Sequence, residues 1–233
     1  MWPERVCVVT AQRRLVAEAL GTALLVTAVV GSGIMAQRLT GDRALALLAN
    51  TIATGSALVA ILLIFGPISG AHLNPVVTLC MAAMKAQSRL SAAGYVAAQV
   101  VGGIGGAILA NAMFEQPFVT WSATARTGGA QLLSEGVATF GLIGVVIAVG
   151  RTRAALTPFA VAAYIVAAYW FTASTSFANP AVTIARAFSD TFAGIRPADV
   201  GGFLLAQALG ATLGALMFSW LVPVHGTAAL RAD

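Results

Sequence analysis

Two short sequences, Asn74-Pro75-Val76 and Asn179-Pro180-Ala181, carry the polar chemistry of an otherwise apolar chain. An asparagine side chain offers an amide donor and a carbonyl acceptor without charge. Proline has no amide hydrogen, and its backbone angle suits the first position of a helix. Each pair therefore starts a helix, with the asparagine as its cap. In both places this happens inside an apolar stretch, where a bilayer-spanning helix would ordinarily run on. A helix that begins there aims unpaired amides and a partial positive charge at the membrane interior. Two such ends directed at one point repel cations and protons, while the Asn74 and Asn179 amides can donate to a passing neutral oxygen. One copy alone reads as a cap at a turn. Two copies at matched places read as a permeation site.

The elements that must position these residues follow from length and hydropathy. At 1.5 Å per residue, about 20 residues cross roughly 30 Å of hydrocarbon. Six segments are long enough: 15–36, 44–66, 91–112, 131–150, 155–174 and 199–222. Between the second and third lies 66–86, and between the fifth and sixth lies 174–189. Both are too short to span, and both hold an Asn-Pro pair. They predict half-helices over 75–84 and 180–188.

The halves repeat each other over roughly 14–112 and 131–222, within a single domain covering 1–233. Gln99-x-x-Gly102-x-x-x-Gly106 is matched by Gln207-x-x-Gly210-x-x-x-Gly214, and Glu18 with Gly21 by Glu135 with Gly136. Three spans per half is an odd number, so the halves have opposite orientations. The predicted fold is an all-α membrane protein: six transmembrane helices and two re-entrant half-helices in an inverted repeat.

Composition sets the same scene. The chain has 233 residues, 59% hydrophobic and 9% charged, with a mean hydropathy of +0.88. Such a chain cannot cover a soluble globule with polar surface. The 13 basic residues, giving a net charge of +5, are scattered and form no nucleic-acid-binding stripe. With the N-terminus inside, eight are cytoplasmic: Arg5, Arg13, Arg14, Lys85, Arg89, Arg151, Arg153 and Arg231. Five are outside: Arg38, Arg43, Arg126, Arg186 and Arg196. This agrees with the positive-inside rule and puts both termini in the cytoplasm. The basic tail 1–14 precedes a first spanning helix, with no small-residue cleavage site. Cys7 and Cys80 read as free thiols, neither a disulfide framework nor a metal cluster.

The stretch Ser69-Gly70-Ala71-His72-Leu73-Asn74-Pro75-Val76-Val77-Thr78 and the second Asn179-Pro180-Ala181 resemble the paired signatures of the aquaporin, or major intrinsic protein, family. Val76 stands where alanine is usual. The resemblance covers essentially 14–222, with Glu18, Glu135, Gln99 and Gln207 where members carry buried polar residues supporting the re-entrant loops. It implies a homotetramer, one pore per subunit, in the lipid of a bacterial inner membrane. It also implies a four-residue constriction, which counting from the signatures puts at Thr54, Ala167, Phe177 and Val182. The water-selective branch typically has Phe, His, a small residue and Arg in this ring. The glycerol branch has Trp, a small residue, Phe and Arg, with Asp after the arginine. Here Thr54 replaces the large aromatic, Val182 replaces the arginine, and Thr183 follows. Valine removes five donors and a positive charge. The ring is wide and arginine-free, similar to bacterial aquaglyceroporins associated with arsenic resistance.

Arg186 lies four residues beyond Val182, on the same helix face and about 6 Å farther out. Either it hangs its guanidinium into the outer vestibule or it snorkels at the headgroup edge. His72 lines the pore or supports its loop. Glu18 and Glu135 read as scaffolds that accept loop amides rather than as a proton relay. Gly102, Gly103, Gly105, Gly106, Gly210 and Gly214 read as close-packing positions. Among Tyr95, Tyr164, Tyr169, Trp121, Trp170 and Trp220, some are interface anchors and some interior.

The expected function is a passive channel for small neutral solutes: glycerol-like polyols, trivalent arsenic and other metalloid acids, with some water. A mainly water-selective pore is the alternative, and a coupled secondary transporter the more distant one. No nucleophile–base set, cofactor motif or metal-ligand spacing is visible, so an enzyme is not expected, nor a cofactor, metal or nucleic-acid partner.

Overall fold

A computed structural model describes residues 9–223; Cys7, Arg5, His225 and Arg231 lie outside them. Six long helices carry the fold: α1 (Ala11–Leu39), α2 (Arg43–Ser69), α4 (Arg89–Met113), α5 (Gly129–Thr152), α6 (Thr157–Phe171) and α8 (Pro197–Leu221). Two short ones, α3 (Pro75–Ala83) and α7 (Pro180–Ala185), start at the Asn-Pro pairs. All six long segments, α6 with its preceding turn, are long and apolar enough to cross a membrane.

Local chemistry sets their ends. Thr10, Asp42 and Ser88 cap α1, α2 and α4 by accepting amides of the first turn, from Arg13, from Ala44 and Leu45, and from Ser91. α2 continues through Pro67 and stops at Gly70, which takes the left-handed conformation (φ 87°) at its C-terminal end. The second half-helix is shorter than expected. Its α-helical part ends at Ala185, and the backbone tightens into a 3₁₀ turn over Arg186–Phe188.

The principal pairings are α1 with α4 and α5 with α8, and glycines make them possible. A Cβ on Gly102 or Gly106 would run into the carbonyl oxygens of Ala19 or Ala23, and one on Gly210 or Gly214 into those of Gly136 or Phe140. Gly103 is nearly as tight, against Ala181. Gly105 is different: nothing lies within 4 Å of its would-be Cβ, so it is no packing glycine. It stands on the outer face of α4.

Polarity is distributed as hydrocarbon requires. Leu205, Leu209, Leu213 and Leu216 of α8 face outward, whereas Glu18, Gln99, Glu135 and Gln207 are fully buried. The aromatics sort likewise: Tyr95 and Tyr169 are interior, and Trp121, Trp170 and Trp220 are exposed.

Candidate functional site

The two half-helices meet by their N-termini, and the asparagines lock the meeting. Asn74 Oδ1 accepts from Val76 N (3.1 Å), while its Nδ2 donates to the carbonyl of Ala178 (2.8 Å) in the opposite loop. Asn179 Oδ1 accepts from Ala181 N (3.0 Å) and Val182 N (3.3 Å), and its Nδ2 donates to the Leu73 carbonyl (2.8 Å). Each amide nitrogen carries two hydrogens. One holds the opposite loop, and the other is left for the cavity that both asparagines line.

Behind each loop a buried carboxylate gathers its amides. Glu18 accepts from Ser69 Oγ (2.6 Å), His72 N (3.0 Å), Leu73 N (2.7 Å) and Gln99 Nε2 (2.7 Å). Glu135 accepts from Phe177 N (2.8 Å), Ala178 N (2.9 Å) and Gln207 Nε2 (2.7 Å). The same two glutamines tie in the half-helices through Thr78 Oγ1 (2.9 Å) and Thr183 Oγ1 (2.8 Å). Backbone conformation repeats as well: Ala71 and Leu73 in one loop, and Ser176 and Ala178 in the other, have φ between 45° and 50°. Holding four non-glycine residues there is unfavourable, and the carboxylates and asparagines supply the restraint.

The cavity has a volume of about 660 Å³ and runs along both loops. One side is apolar, with Leu58 and Leu62 of α2, Leu142 and Val146 of α5, and Val161 and Ile165 of α6. The other carries the polar backbone of residues 70–73 and 176–178, with the two asparagines between. An amphipathic path of this kind suits a molecule with hydroxyls on one edge and carbon on the other. His72 lines it too, with its ring Nδ1 3.1 Å from Thr78 Oγ1 and its edge against Tyr95. His72 thus touches the cavity and braces its loop at once.

Thr54, Phe177, Val182 and Arg186 gather at one end of the cavity, the end toward the 114–128 connection, while Ala167 is absent from its wall. Ala167 is exposed on the outside of α6. The reason is helical phase: Val161, Ile165 and Tyr169 face the cavity, and two residues from either of the last two is about 200° of rotation. Counting along a chain gives distance but not helix face. Tyr169, two residues on, lines the cavity, its hydroxyl donating to Thr54 Oγ1 (3.3 Å). Phe177 lines the cavity chiefly by position, for its ring packs on Phe203 (centroids 5.2 Å apart). Ser176, not singled out from sequence, also touches the cavity.

Arg186 is only 2% exposed and sits against the cavity, which removes it from the headgroup edge. Its Nε donates to the Ala193 carbonyl, and its guanidinium carbon lies 3.4 Å from the centre of the Phe177 ring. A second guanidinium, Arg126, lies 4.7 Å from the same ring centre. Burial lowers Arg126 to about 10, so it stays charged at neutral pH. At the other end, Met81, Met84 and Arg151 form the mouth, with Arg151 Nη1 donating to the Val222 carbonyl at the end of α8. Cys80 is a buried free thiol beside this end.

Three comparisons bear on what this arrangement is. The profile of the family described as Major intrinsic protein matches residues 6–167. Aquaglyceroporin AqpS of Rhizobium meliloti (strain 1021) is 57% identical over 210 residues, 90% of each chain. Aquaporin NIP6-1 of Arabidopsis thaliana is 36% identical over 149 residues, 63% of this chain and 48% of its own. Among solved structures, the X-ray structure of the aquaglyceroporin from Plasmodium falciparum superposes with a TM-score of 0.72 at 19% identity, covering 92% of this chain and 98% of that one. At that identity the likeness speaks for the fold, six spanning helices and two half-helices.

Proposed function

The chain belongs to the major intrinsic protein family of membrane channels, and from that premise we propose that it passively conducts small neutral hydroxylated solutes, glycerol-like polyols and neutral trivalent arsenic or other metalloid acids, with water accompanying them. One observation carries this reading. The cavity is two-sided, carbon against polar backbone and asparagine, and residue 182 on its wall is a valine. Arsenous acid, like glycerol, is uncharged and carries three hydroxyls, so the same wall suits both. A mainly water-selective pore would need more donors than Thr54, Tyr169 and Val182 provide. Arg186, on the cavity wall one turn beyond Val182, supplies the donors there, and the asparagine pair with the half-helix ends rejects cations.

The distribution of arginines and lysine orients the chain with the Arg151 mouth in the cytoplasm and the Arg186 end of the cavity outside, in the inner membrane of a bacterium. Family members generally form homotetramers, and this chain is taken to do the same, one pore in each subunit.

Proteoliposomes test the reading. Glycerol and arsenous acid flux should rise linearly with concentration and ignore an imposed proton or sodium gradient. Val182→Arg should reduce both fluxes more than that of water. Saturating, gradient-dependent flux would replace the channel with a coupled transporter, and a water-only pore would remove the wide constriction.

A further inference from the structure

Arg126 does not line the cavity, yet its side chain is nearly buried and every direction of its fork is engaged. Nε donates to the Gly194 carbonyl (2.7 Å), Nη1 to the Ser174 carbonyl (2.9 Å) and toward Thr175 Oγ1 (3.5 Å), and Nη2 to the Phe192 carbonyl (3.1 Å). One side chain thus ties the loop entering α7 to the loop leaving the 3₁₀ turn after it. Its own backbone is anchored, with its N donating to Asp199 Oδ2 (2.7 Å), while the other oxygen of that carboxylate holds Arg196 (3.0 Å).

The consequence for the pore runs through one ring. Phe177 presents its π-face to two guanidinium groups, Arg126 at 4.7 Å and Arg186 at 3.4 Å, and is backed by Phe203. Arg186 is the member of this set that lines the cavity. Apart from its Nε contact to Ala193, the Arg186 side chain makes no hydrogen bond among the described residues, so the ring is its main seat. A cation over an aromatic face is directed by the ring's orientation. The ring's orientation, in turn, is set by the loop that Arg126 clamps. Two like charges that share one ring also repel each other, so the position of one guanidinium bears on that of the other.

We propose that Arg126 is a specificity-determining positioning residue: by clamping the 174–175 and 192–194 segments and seating Phe177, it fixes where the Arg186 guanidinium stands in the pore mouth and hence the size of solute admitted. Lysine cannot replace it. An ammonium keeps the charge but lacks the planar fork that reaches three carbonyls at once.

The inference rests on the channel reading and is tested in the same proteoliposomes, by the ratio of xylitol to glycerol permeability. Arg126→Lys and, separately, Phe177→Leu are measured in the wild-type and in the Arg186→Gln background. Each should raise the ratio on the order of tenfold in the wild-type background, the scale of one charge-assisted contact. Neither should change it further once Arg186 is glutamine, because the path runs through that side chain. A purely structural clamp would lower both permeabilities together and leave the ratio alone. An unchanged ratio in folded Arg126→Lys, or shifts that persist in the Arg186→Gln background, would overturn the proposal. Should Arg126→Lys not fold, Phe177→Leu decides, since it removes the shared ring and no side-chain hydrogen bond. Absence of glycerol flux in the wild type would overturn the channel reading instead.

Discussion

Replacing Glu135 by glutamine is the sharpest probe of how the second half-helix is held. The carboxylate offers two acceptor oxygens: Oε1 receives the Phe177 amide, and Oε2 receives the Ala178 amide and Gln207 Nε2. Glutamine exchanges one of these acceptors for an NH₂ group of the same size. If the nitrogen takes the Oε1 place, the Phe177 amide faces a donor. If it takes the Oε2 place, two donors do. The first arrangement costs less and leaves one buried amide unsatisfied, about 1–3 kcal/mol. For a chain of this length that corresponds to a fall of about 2–12 °C in the unfolding midpoint. Because Phe177 and Val182 follow directly in the same segment, glycerol flux per folded molecule should fall with it. Differential scanning fluorimetry in detergent, paired with stopped-flow on liposomes of matched protein content, measures both. Unchanged midpoint and flux would refute the scaffold reasoning. Flux that depends on a proton gradient in the wild type and loses that dependence in Glu135→Gln would reinstate a proton relay.

Other substitutions separate neighbouring parts of the account. Gly210→Val should abolish the folded protein, because the new Cβ meets the Gly136 carbonyl, whereas Gly105→Val, with open space around it, should be recovered at wild-type yield by gel filtration. Asn179→Asp loses the donor to the Leu73 carbonyl and puts a negative charge between the half-helices, so glycerol flux should drop and cation conductance appear in planar bilayers. Tyr169→Phe deletes only a long hydrogen bond to Thr54 and should alter glycerol permeability by less than about threefold, while Tyr169→Ala should admit larger polyols in a liposome swelling assay.

Much of this architecture was legible from residues alone, and the reasons are physical. Asn-Pro declares a helix start wherever it occurs, and two copies in apolar surroundings declare the half-helices. Glu18, Gln99, Glu135 and Gln207 are too polar for apolar helices unless something behind them needs acceptors or donors, and the loop amides are that need. The close-packing glycines showed themselves by repeating at the same spacing in both halves. What chain distance cannot convey is which way a side chain faces. Counting from the signatures reaches Ala167, which lies outside, while Tyr169 faces the cavity. Phe177 touches the cavity, yet its ring turns to Phe203 and the two arginines. Arg126 sits in an aperiodic connection, where no hydrophobic pattern predicts burial. Its only signal was the charge itself, which read as a mark of membrane side. Gly105 sits in the same run as Gly102, Gly103 and Gly106, but a helix turns it away from the α1 contact.

On the proposed function, solutes cross by diffusing through a pore lined by Asn74 and Asn179. Stopped-flow on proteoliposomes of the wild-type protein, with water, glycerol, urea and arsenous acid compared against empty vesicles, tests it most directly. Glycerol and arsenous acid should cross well above the empty-vesicle rate, with flux proportional to the gradient. Rates indistinguishable from those of empty vesicles for both solutes would contradict it.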